Sequence, residues 1–200
     1  ADDAAVIIAN RGATQAVTPA GTRWQTGPAR HEAGSPNVLG VVALAAACAA
    51  LREHAGAVHA HEEALAQRLR DGLAAIPGVE TYSIFGPAHD RAPVVTFTIE
   101  GLDSGLVSAA LSVEHGIGVR DGKFCAHLLV DSLLEESGTD ATTAVRVSAG
   151  LATTDEHVER LLAAVASLAS GGPRAAYEHD AGHGWVVRDD PRDLTVTLPW

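Results

Sequence analysis

The chain has 200 residues, which is enough for one domain or slightly more. It carries 14 basic and 25 acidic residues, so its net charge is −11 at pH 7. This balance excludes a general binder of nucleic acid or of anionic membranes, because phosphate groups are neutralised by clustered basic side chains. Apolar residues make up 46% and charged residues 20% of the chain, which predicts a folded protein with a core.

The first third of the chain predicts one short strand and two helices. Residues 1–36 are rich in Gly, Pro and Thr, and they predict a strand near Ala5–Ala9 followed by loop. The mostly apolar stretch Val38–Leu51 has 14 residues, too few for the roughly 20 that span a membrane, and it predicts a buried helix. Asn37 is a suitable N-cap for this helix. A second helix, from about Ala57 to Ala75, has leucines at i+4 spacing.

The rest of the chain predicts alternating strands and helices. The two helices of this part, at about 104–114 and 153–169, are expected on one face of a mostly antiparallel sheet. This is an α/β fold of the two-layer α+β type. Residues 131–142 are acidic and polar and predict an exposed linker, and Thr153 with Glu156 predicts a capping box. The predicted elements are strands at Val79–Phe85, Val94–Ile99, Ile117–Arg120 and Ala144–Ser148, helices at about 104–114 and 153–169, and tail strands near Trp185–Arg188 and Leu194–Leu198. The predicted domain limits are 1–36, 37–76, 77–170 and a tail of 171–200.

A first candidate site is the segment directly before the apolar helix, where Gly34 and Ser35 stand. The N-terminal end of a helix attracts anions such as phosphate, and a glycine N–H and a serine hydroxyl are suitable donors. The alternative is ordinary capping chemistry, because Gly-Ser-Pro-Asn is a common way for a loop to enter a helix.

A second candidate is Cys125, which follows a predicted strand in a segment that also holds Arg120, Lys123 and His127. Cationic neighbours favour the thiolate, which is the nucleophilic form of cysteine. The alternative is a small buried residue, and Cys48 in its alanine-rich helix fits that description better. Because the two cysteines lie far apart in different contexts, we expect no disulfide and a reducing cytoplasm.

A third candidate is Arg146, which alternates with Val145 and Val147 in a predicted strand. Such an arginine either faces solvent or holds a carboxylate through two hydrogen bonds.

The histidines predict no metal site. His59 and His61 are two residues apart, but no matching set of cysteines or carboxylates completes a ligand pattern.

These three segments, in this order, resemble the C-terminal half of the class V aminotransferase family of pyridoxal-phosphate enzymes. The most similar branch contains the cysteine desulfurases and selenocysteine lyases. In the family, Arg-x-Glu-x-Gly-Thr-Pro-Asn precedes a long helix, and residues 30–37 here have Arg-His-Glu-Ala-Gly-Ser-Pro-Asn. The desulfurase branch has Gly-Ile-x-Val-Arg-x-Gly-His-His-Cys-Ala, and residues 116–126 have Gly-Ile-Gly-Val-Arg-Asp-Gly-Lys-Phe-Cys-Ala. The Val-Arg-x-Ser motif of the family matches residues 145–148, and the resemblance covers about 25–169.

The resemblance implies the C-terminal part of a fold-type-I transferase that uses pyridoxal 5'-phosphate. Residues 1–36 would end the large cofactor domain, 37–76 would be connector helices, and 77–170 would form the small domain. Gly34 and Ser35 would contact the cofactor phosphate of the partner subunit in a homodimer. Arg146 would hold the α-carboxylate of a small amino-acid substrate, and Cys125 would form a persulfide by attacking the substrate sulfur. The supporting positions of the substrate site would be Arg120 and Asn37.

The sequence has a single lysine, Lys123, and this limits what the chain does alone. The family's cofactor-binding lysine lies upstream of the Arg-x-Glu-x-Gly segment, where this sequence has none. Lys123 and Phe124 stand where the desulfurase branch has two histidines. Since the sequence also lacks methionine and starts at Ala1, we expect a piece of a longer product that is inactive by itself.

The complete protein is expected to be a cysteine desulfurase-like lyase or sulfurtransferase that passes sulfur to an acceptor protein. One alternative is a class V aminotransferase, or another pyridoxal-phosphate lyase, without a catalytic cysteine. An alternative of another class is a non-catalytic fragment that serves dimerisation or binding.

Overall fold

The computed structural model describes residues 8–32, 34–86, 89 and 91–192. The chain divides into two compact units, residues 1–55 and 56–200. Within the described residues, no single helix is long and apolar enough to cross a membrane. The helices Val38–Glu53 and Ala55–Ala74 meet that criterion only when they are taken together.

Three short antiparallel strands begin the first unit, in the order β1 (Ile8–Arg11), β2 (Thr14–Thr18) and β3 (Gly21–Trp24). The prediction of loop after the first strand is therefore wrong for residues 14–24, and residues 5–7 lie outside the described part of the chain. The strands depend on backbone pairing and on tight turns, in which Gly12 and Gly21 have φ of 56° and 147°. Because no alternation of apolar and polar side chains accompanies this pairing, the sequence pattern did not indicate it.

The first unit continues through a 3₁₀ helix at Gly27–His31 to α1 (Val38–Glu53). Asn37 caps α1 as predicted, since its Oδ1 accepts a hydrogen bond from the Gly40 N–H at 2.9 Å. The prediction of a buried helix is wrong, because no residue of α1 is buried. A helix that is apolar on every side needs cover, but its sequence does not indicate what covers it. The exposed large side chains of α1 are Val38, Leu39, Val41, Val42, Leu44 and Leu51.

The second unit is built around a four-stranded antiparallel sheet. The strands are β4 (Val79–Tyr82), β5 (Val94–Ile99), β6 (Arg120–Gly122) and β7 (Ala144–Ser148), in the order β4-β5-β7-β6. The strand predicted at 117–120 starts three residues later, at Arg120. Val95, Phe97 and Ile99 of β5 and Val145 and Val147 of β7 belong to one buried cluster. The central strands therefore turn an apolar face to the core.

Three helices supply the remaining buried residues of that cluster: α2 (Ala55–Ala74), α3 (Ser104–His115) and α5 (Asp155–Gly171). The α2 leucines at positions 65, 69 and 73 are at most 1% exposed, as their i+4 spacing predicts. The prediction of a sheet with its helices on one face is confirmed for α3 and α5, both of which contribute buried residues to this cluster. The α+β fold class is thereby confirmed as well.

The cap of α5 is shifted by one residue from the prediction. Thr154 is the N-cap, its Oγ1 accepts from the His157 N–H, and its own N–H donates to His157 Nδ1. The predicted pair of Thr153 and Glu156 is therefore wrong. Thr153 closes the preceding turn instead, where its Oγ1 accepts from the Gly150 N–H at 3.0 Å. Two consecutive threonines offer equivalent hydroxyls, so the sequence left the register of the cap open.

A fourth helix, α4 (His127–Ser137), occupies much of the segment predicted to be an exposed linker, so that prediction is wrong. Val130 and Leu134 are buried, and they lie four residues apart on one face of the helix. Asp131 and Glu135 are at its surface, so the acidic composition described only the solvent-facing side. Gly138 ends α4 in the left-handed conformation, with φ of 70°.

The tail after α5 forms a hairpin, β8 (Tyr177–Asp180) and β9 (Gly184–Val187), that is fastened to α3. The predicted strand near 185–188 is thus confirmed in place, whereas the one near 194–198 lies outside the described residues. Trp185 Nε1 donates to Asp103 Oδ1 at 2.7 Å, at the start of α3. Near the other end of the helix, Glu114 accepts hydrogen bonds from the Arg174 and Ala175 N–H groups and from the Tyr177 hydroxyl.

Glu114 carries much of this attachment in its ionised form. Partial burial raises the pKa of Glu114, but the hydrogen bonds from Ala175, Arg174 and Tyr177 outweigh it and hold the pKa below the ordinary value of 4.5. Burial, together with the Glu114 carboxylate, raises the pKa of Tyr177 to about 12. The carboxylate therefore stabilises the folded hairpin above pH 4.5, and this stabilisation is lost as the pH falls through the lower, folded-state pKa.

We expect Glu114→Gln to lower the free energy of unfolding at pH 7 by about 1 kcal/mol, since three donors lose a charged acceptor that is itself partly exposed. Hydrogen exchange at the Arg174 and Ala175 amides should become faster. Glu178→Gln is the matched control, because Glu178 lies on the same hairpin and its carboxylate forms, among the described residues, an exposed ion pair with Arg188 at 3.4 Å. Equal effects of the two substitutions would show that Glu114 does not fasten the tail.

Candidate functional site

Two arginines stand directly opposite each other at the edge of the second unit's sheet. Arg120 of β6 pairs with Arg146 of β7 in the antiparallel register, so their side chains leave the same face. Val145 and Val147 point to the other face, into the core. The Arg146 Nε is buried and has no hydrogen-bond partner in the described part of the chain. Two arginines that stand opposite each other, with one donor unused, form a suitable place for a carboxylate.

The turn that carries Cys125 follows β6 and has a strained backbone. Phe124 and Cys125 have φ of 56° and 61°, the left-handed region that residues other than glycine seldom adopt. Such a conformation costs about 1–3 kcal/mol for each residue and persists only where the surroundings enforce it. The Ala126 N–H closes the turn by donating to the Lys123 carbonyl at 2.8 Å. Cys125 is exposed in this turn.

Two side-chain contacts attach this turn to its neighbours. The Phe124 ring lies under Arg146, with the guanidinium carbon 5.3 Å from the ring centroid. Lys123 Nζ forms an ion pair with Asp131 Oδ1 of α4 at 2.6 Å. The contact of Phe124 places the cysteine turn beside Arg146. The roles of Cys125, Arg120 and Arg146 stay predictions. Lys123 directs its charge to α4.

Gly34, Ser35 and Asn37 lie in the first unit, at the start of α1. Gly34 and Ser35 are both exposed, and a Cβ at Gly34 would meet no atom within 4 Å. The Asn37 carboxamide oxygen is used by the cap of α1, and the close approach of Asn37 to Gly40 leaves no room for a side chain there. These residues thus combine a hydroxyl, an open backbone segment and the N-terminal end of a 16-residue helix.

The remaining candidates have simpler surroundings. Cys48 is exposed on α1, so the expectation of a small buried residue is wrong for it. His179 meets Trp185 edge-on across the tail hairpin, and His183 is paired with Asp180. Among the described residues, no group of three or more histidines, cysteines and carboxylates is arranged to hold a metal ion.

Comparison with known proteins identifies the family. Residues 9–161 match the family described as Aminotransferase class-V, and the chain belongs to that family. The chain is 35% identical over 146 residues to a probable cysteine desulfurase of Xylella fastidiosa, which covers 72% of this chain and 33% of that protein. It is 34% identical over 143 residues to a probable cysteine desulfurase of Halobacterium salinarum, covering 71% of this chain and 32% of that protein.

Solved structures lead to the same family. The chain aligns with the apo structure of a cysteine desulfurase from Thermococcus onnurineus with a TM-score of 0.61 and 30% identity, covering 80% of this chain and 38% of that chain. It aligns with the cysteine desulfurase CsdA of Escherichia coli with a TM-score of 0.59 and 28% identity, covering 79% and 37%. The predicted fold, the C-terminal part of a fold-type-I pyridoxal-phosphate enzyme, is thereby confirmed. The chain spans about a third of the length of the curated relatives.

The family's cofactor is pyridoxal phosphate, and the residues present fit one part of it. Its phosphate needs hydroxyl and backbone N–H donors, and Ser35 and Gly34 offer these at the start of α1, where the helix dipole favours an anion. The one lysine of the sequence, Lys123, is paired with Asp131. The residues of this chain therefore fit the phosphate group of the cofactor.

Sequence reasoning missed two features of the site. The contact between Phe124 and Arg146 joins two elements that are far apart in the sequence, and no local pattern predicts it. The left-handed backbone at Phe124 and Cys125 was also missed, since glycine is the residue that usually indicates it. The available signal was the replacement of two histidines by Lys123 and Phe124, which pointed to a different local environment.

Repulsion between Arg120 and Arg146 should lower the free energy of unfolding of the chain without a bound carboxylate. We expect Arg120→Gln to raise the free energy of unfolding by roughly 0.2–1 kcal/mol at low ionic strength, because it removes a like charge directly opposite Arg146. This gain should fade in 0.5 M salt, where such repulsion is screened over about 4–5 Å. Urea denaturation at the two salt concentrations measures it. Arg160→Gln, which removes an exposed arginine of α5, is the control and should give no gain; a loss of stability in Arg120→Gln would contradict the repulsion.

Proposed function

We propose that the protein containing this chain is a pyridoxal-phosphate-dependent cysteine desulfurase in which Cys125 accepts the sulfur. The observation that carries the proposal is the exposed thiol of Cys125, in a strained turn whose neighbour Phe124 contacts Arg146. Relatives named as cysteine desulfurases, at 34–35% identity, support the same activity.

In this proposal, Arg146 and Arg120 bind the α-carboxylate of cysteine. A guanidinium matches a carboxylate with two parallel hydrogen bonds, and the Nε of Arg146 is the donor still to be satisfied. The carboxylate would also neutralise the repulsion between the two arginines. Asn37, whose carboxamide oxygen is bound to Gly40, remains a proposed supporting residue.

The sulfur is transferred to Cys125. Its thiolate attacks the sulfur of the bound cysteine, so that an S–S bond forms as the C–S bond of the substrate breaks. The bonding electron pair stays on the substrate carbon, which takes up a proton and leaves as alanine. The sulfur remains on Cys125 as a persulfide, which the exposed position of this turn would present to a sulfur-acceptor protein.

Bound pyridoxal phosphate supplies the electron sink that lets negative charge develop on the substrate. Gly34 and Ser35 would hold its phosphate, and we propose that they do so for the partner subunit of a homodimer. The exposed apolar side chains of α1 support such an assembly, since contiguous apolar surface of this kind is typical of protein interfaces. Two free cysteines favour the reducing cytoplasm.

An aminotransferase, or a lyase without a catalytic cysteine, is the second candidate. It is favoured by Lys123 and Phe124, which stand where the desulfurase branch has histidines, and by the engagement of Lys123 with Asp131. The two candidates share the cofactor and the role of Arg146. They differ in whether the thiol of Cys125 reacts.

Replacement of Cys125 decides between them. In the complete, cofactor-loaded protein, we expect Cys125→Ala to lower sulfide release from cysteine by about two orders of magnitude or more, the usual cost of removing a reacting group. Sulfide formed per minute in the presence of a reducing thiol is the measurement. Cys48→Ala removes the other thiol of this chain and should leave the rate unchanged. If Cys125→Ala releases sulfide at the rate of the unaltered protein, the assignment of Cys125 as the sulfur acceptor is wrong.

The 200-residue chain alone should not form a covalent bond with the cofactor. We expect incubation with a stoichiometric amount of pyridoxal phosphate, followed by borohydride reduction and peptide mass mapping, to leave Lys123 unmodified, because Lys123 is engaged by Asp131. The complete protein, treated in the same way, should gain one cofactor mass. A single adduct on Lys123 in the 200-residue chain would contradict the proposal that this chain needs a lysine from elsewhere.

A further inference from the structure

The contact between Phe124 and Arg146 joins the two chemical groups of the site. Phe124 is the immediate neighbour of Cys125 and shares its left-handed backbone conformation. Its ring lies under the guanidinium of Arg146, which stands on a strand fixed by the core. The ring therefore links the backbone of the cysteine turn to the guanidinium of Arg146.

The contact with the ring leaves the edge of the guanidinium for a carboxylate. Stacking uses the flat face of the group, whereas hydrogen bonds are donated from its edge, so one arginine serves both contacts at once. The Nε of Arg146 lies on that edge and has no partner within the described residues. A carboxylate bound there would fix the orientation of the guanidinium plane, and with it the surface on which the Phe124 ring rests.

The rest of the turn is held on its other side. Lys123 is tied to α4 by its ion pair with Asp131, and the Ala126 N–H closes the turn on the Lys123 carbonyl. Between these anchors, the described contact that joins the strained pair to the arginine is the Phe124 ring. The turn that carries the exposed thiol of Cys125 is thus attached to α4 through Lys123 and to Arg146 through Phe124.

We propose that Phe124 is a positioning residue that couples the binding of a substrate carboxylate at Arg146 to the geometry of Cys125. Binding of the carboxylate restricts the guanidinium, the ring follows it, and the cysteine turn becomes confined to one conformation. This rests on the proposed function for the role of Arg146, but it does not require that Cys125 accept sulfur. A ligand shifts the equilibrium between conformations of the cysteine turn only by binding one of them better than the others. The ring carries that difference, so the coupling disappears when the ring is removed.

The two exposed cysteines provide the test. The complete, cofactor-loaded protein is treated with iodoacetamide with and without saturating L-alanine, and the alkylation rates of Cys125 and Cys48 are followed by peptide mass spectrometry. L-Alanine has the carboxylate but no sulfur, and its binding is followed by the absorbance of the cofactor. We expect L-alanine to change the Cys125 rate by about two- to fivefold, the factor that corresponds to a cation–π contact at a partly exposed site, with Cys48 unchanged.

Phe124→Leu keeps an apolar side chain but removes the ring, and Phe124→Tyr is the matched control that retains it. L-Alanine should still bind to Phe124→Leu while the response of Cys125 is lost, and Phe124→Tyr should respond as the unaltered protein does. A full response in Phe124→Leu would overturn the coupling, as would an unaltered protein that binds L-alanine without a response. Sulfide release that survives Cys125→Ala would instead refute the role of Cys125 as the sulfur acceptor and leave the coupling intact, and absence of L-alanine binding to the unaltered protein would overturn the coupling.

Discussion

The register between β6 and β7 is the constraint on which the candidate site depends. Because side chains alternate along a strand, burial of Val145 and Val147 in the core sends Arg146 to the opposite face, where Arg120 stands directly across from it. A shift by one residue would place an arginine in the core and the valines at the site. The apolar cluster therefore determines which face of the sheet carries the arginines, although its own residues are not part of the candidate site.

The strain at the cysteine turn is sustained by the same framework. Two left-handed residues other than glycine cost free energy that a short loop does not recover by itself. Here the turn lies between β6, which is paired with β7, and α4, which is anchored by buried Val130 and Leu134. Burial of apolar groups on both sides offsets the local cost, and the thiol is left exposed in an unusual backbone geometry. Strain of this kind is concentrated at functional sites.

Periodicity predicted the parts of the fold in which one face is buried. The leucines of α2 and the alternation in β7 belong to this class, and both were found in the sequence. In α4, the exposed acidic residues dominated the composition and obscured its two buried residues. The small sheet at 8–24 is formed by backbone pairing, which leaves no apolar pattern in the sequence. The length and composition of α1 predicted a helix correctly, but burial depends on what covers it. At the candidate site, the motifs predicted Cys125 and Arg146 as functional residues, whereas the contact through Phe124 arises only from the folded register.

The tail hairpin shows how residues outside the family match support the site. It follows the matched residues 9–161, yet its Trp185 and the segment at 174–177 are bound to the two ends of α3. Asp103 both caps α3 and accepts from the indole, so one carboxylate joins the start of the helix to the hairpin. Since α3 contacts both β6 and β7, the hairpin stabilises the helix that lies against the strands carrying Arg120 and Arg146. The tail is thus connected to the arginine pair through α3, which lies between the hairpin and the strands on which the pair stands.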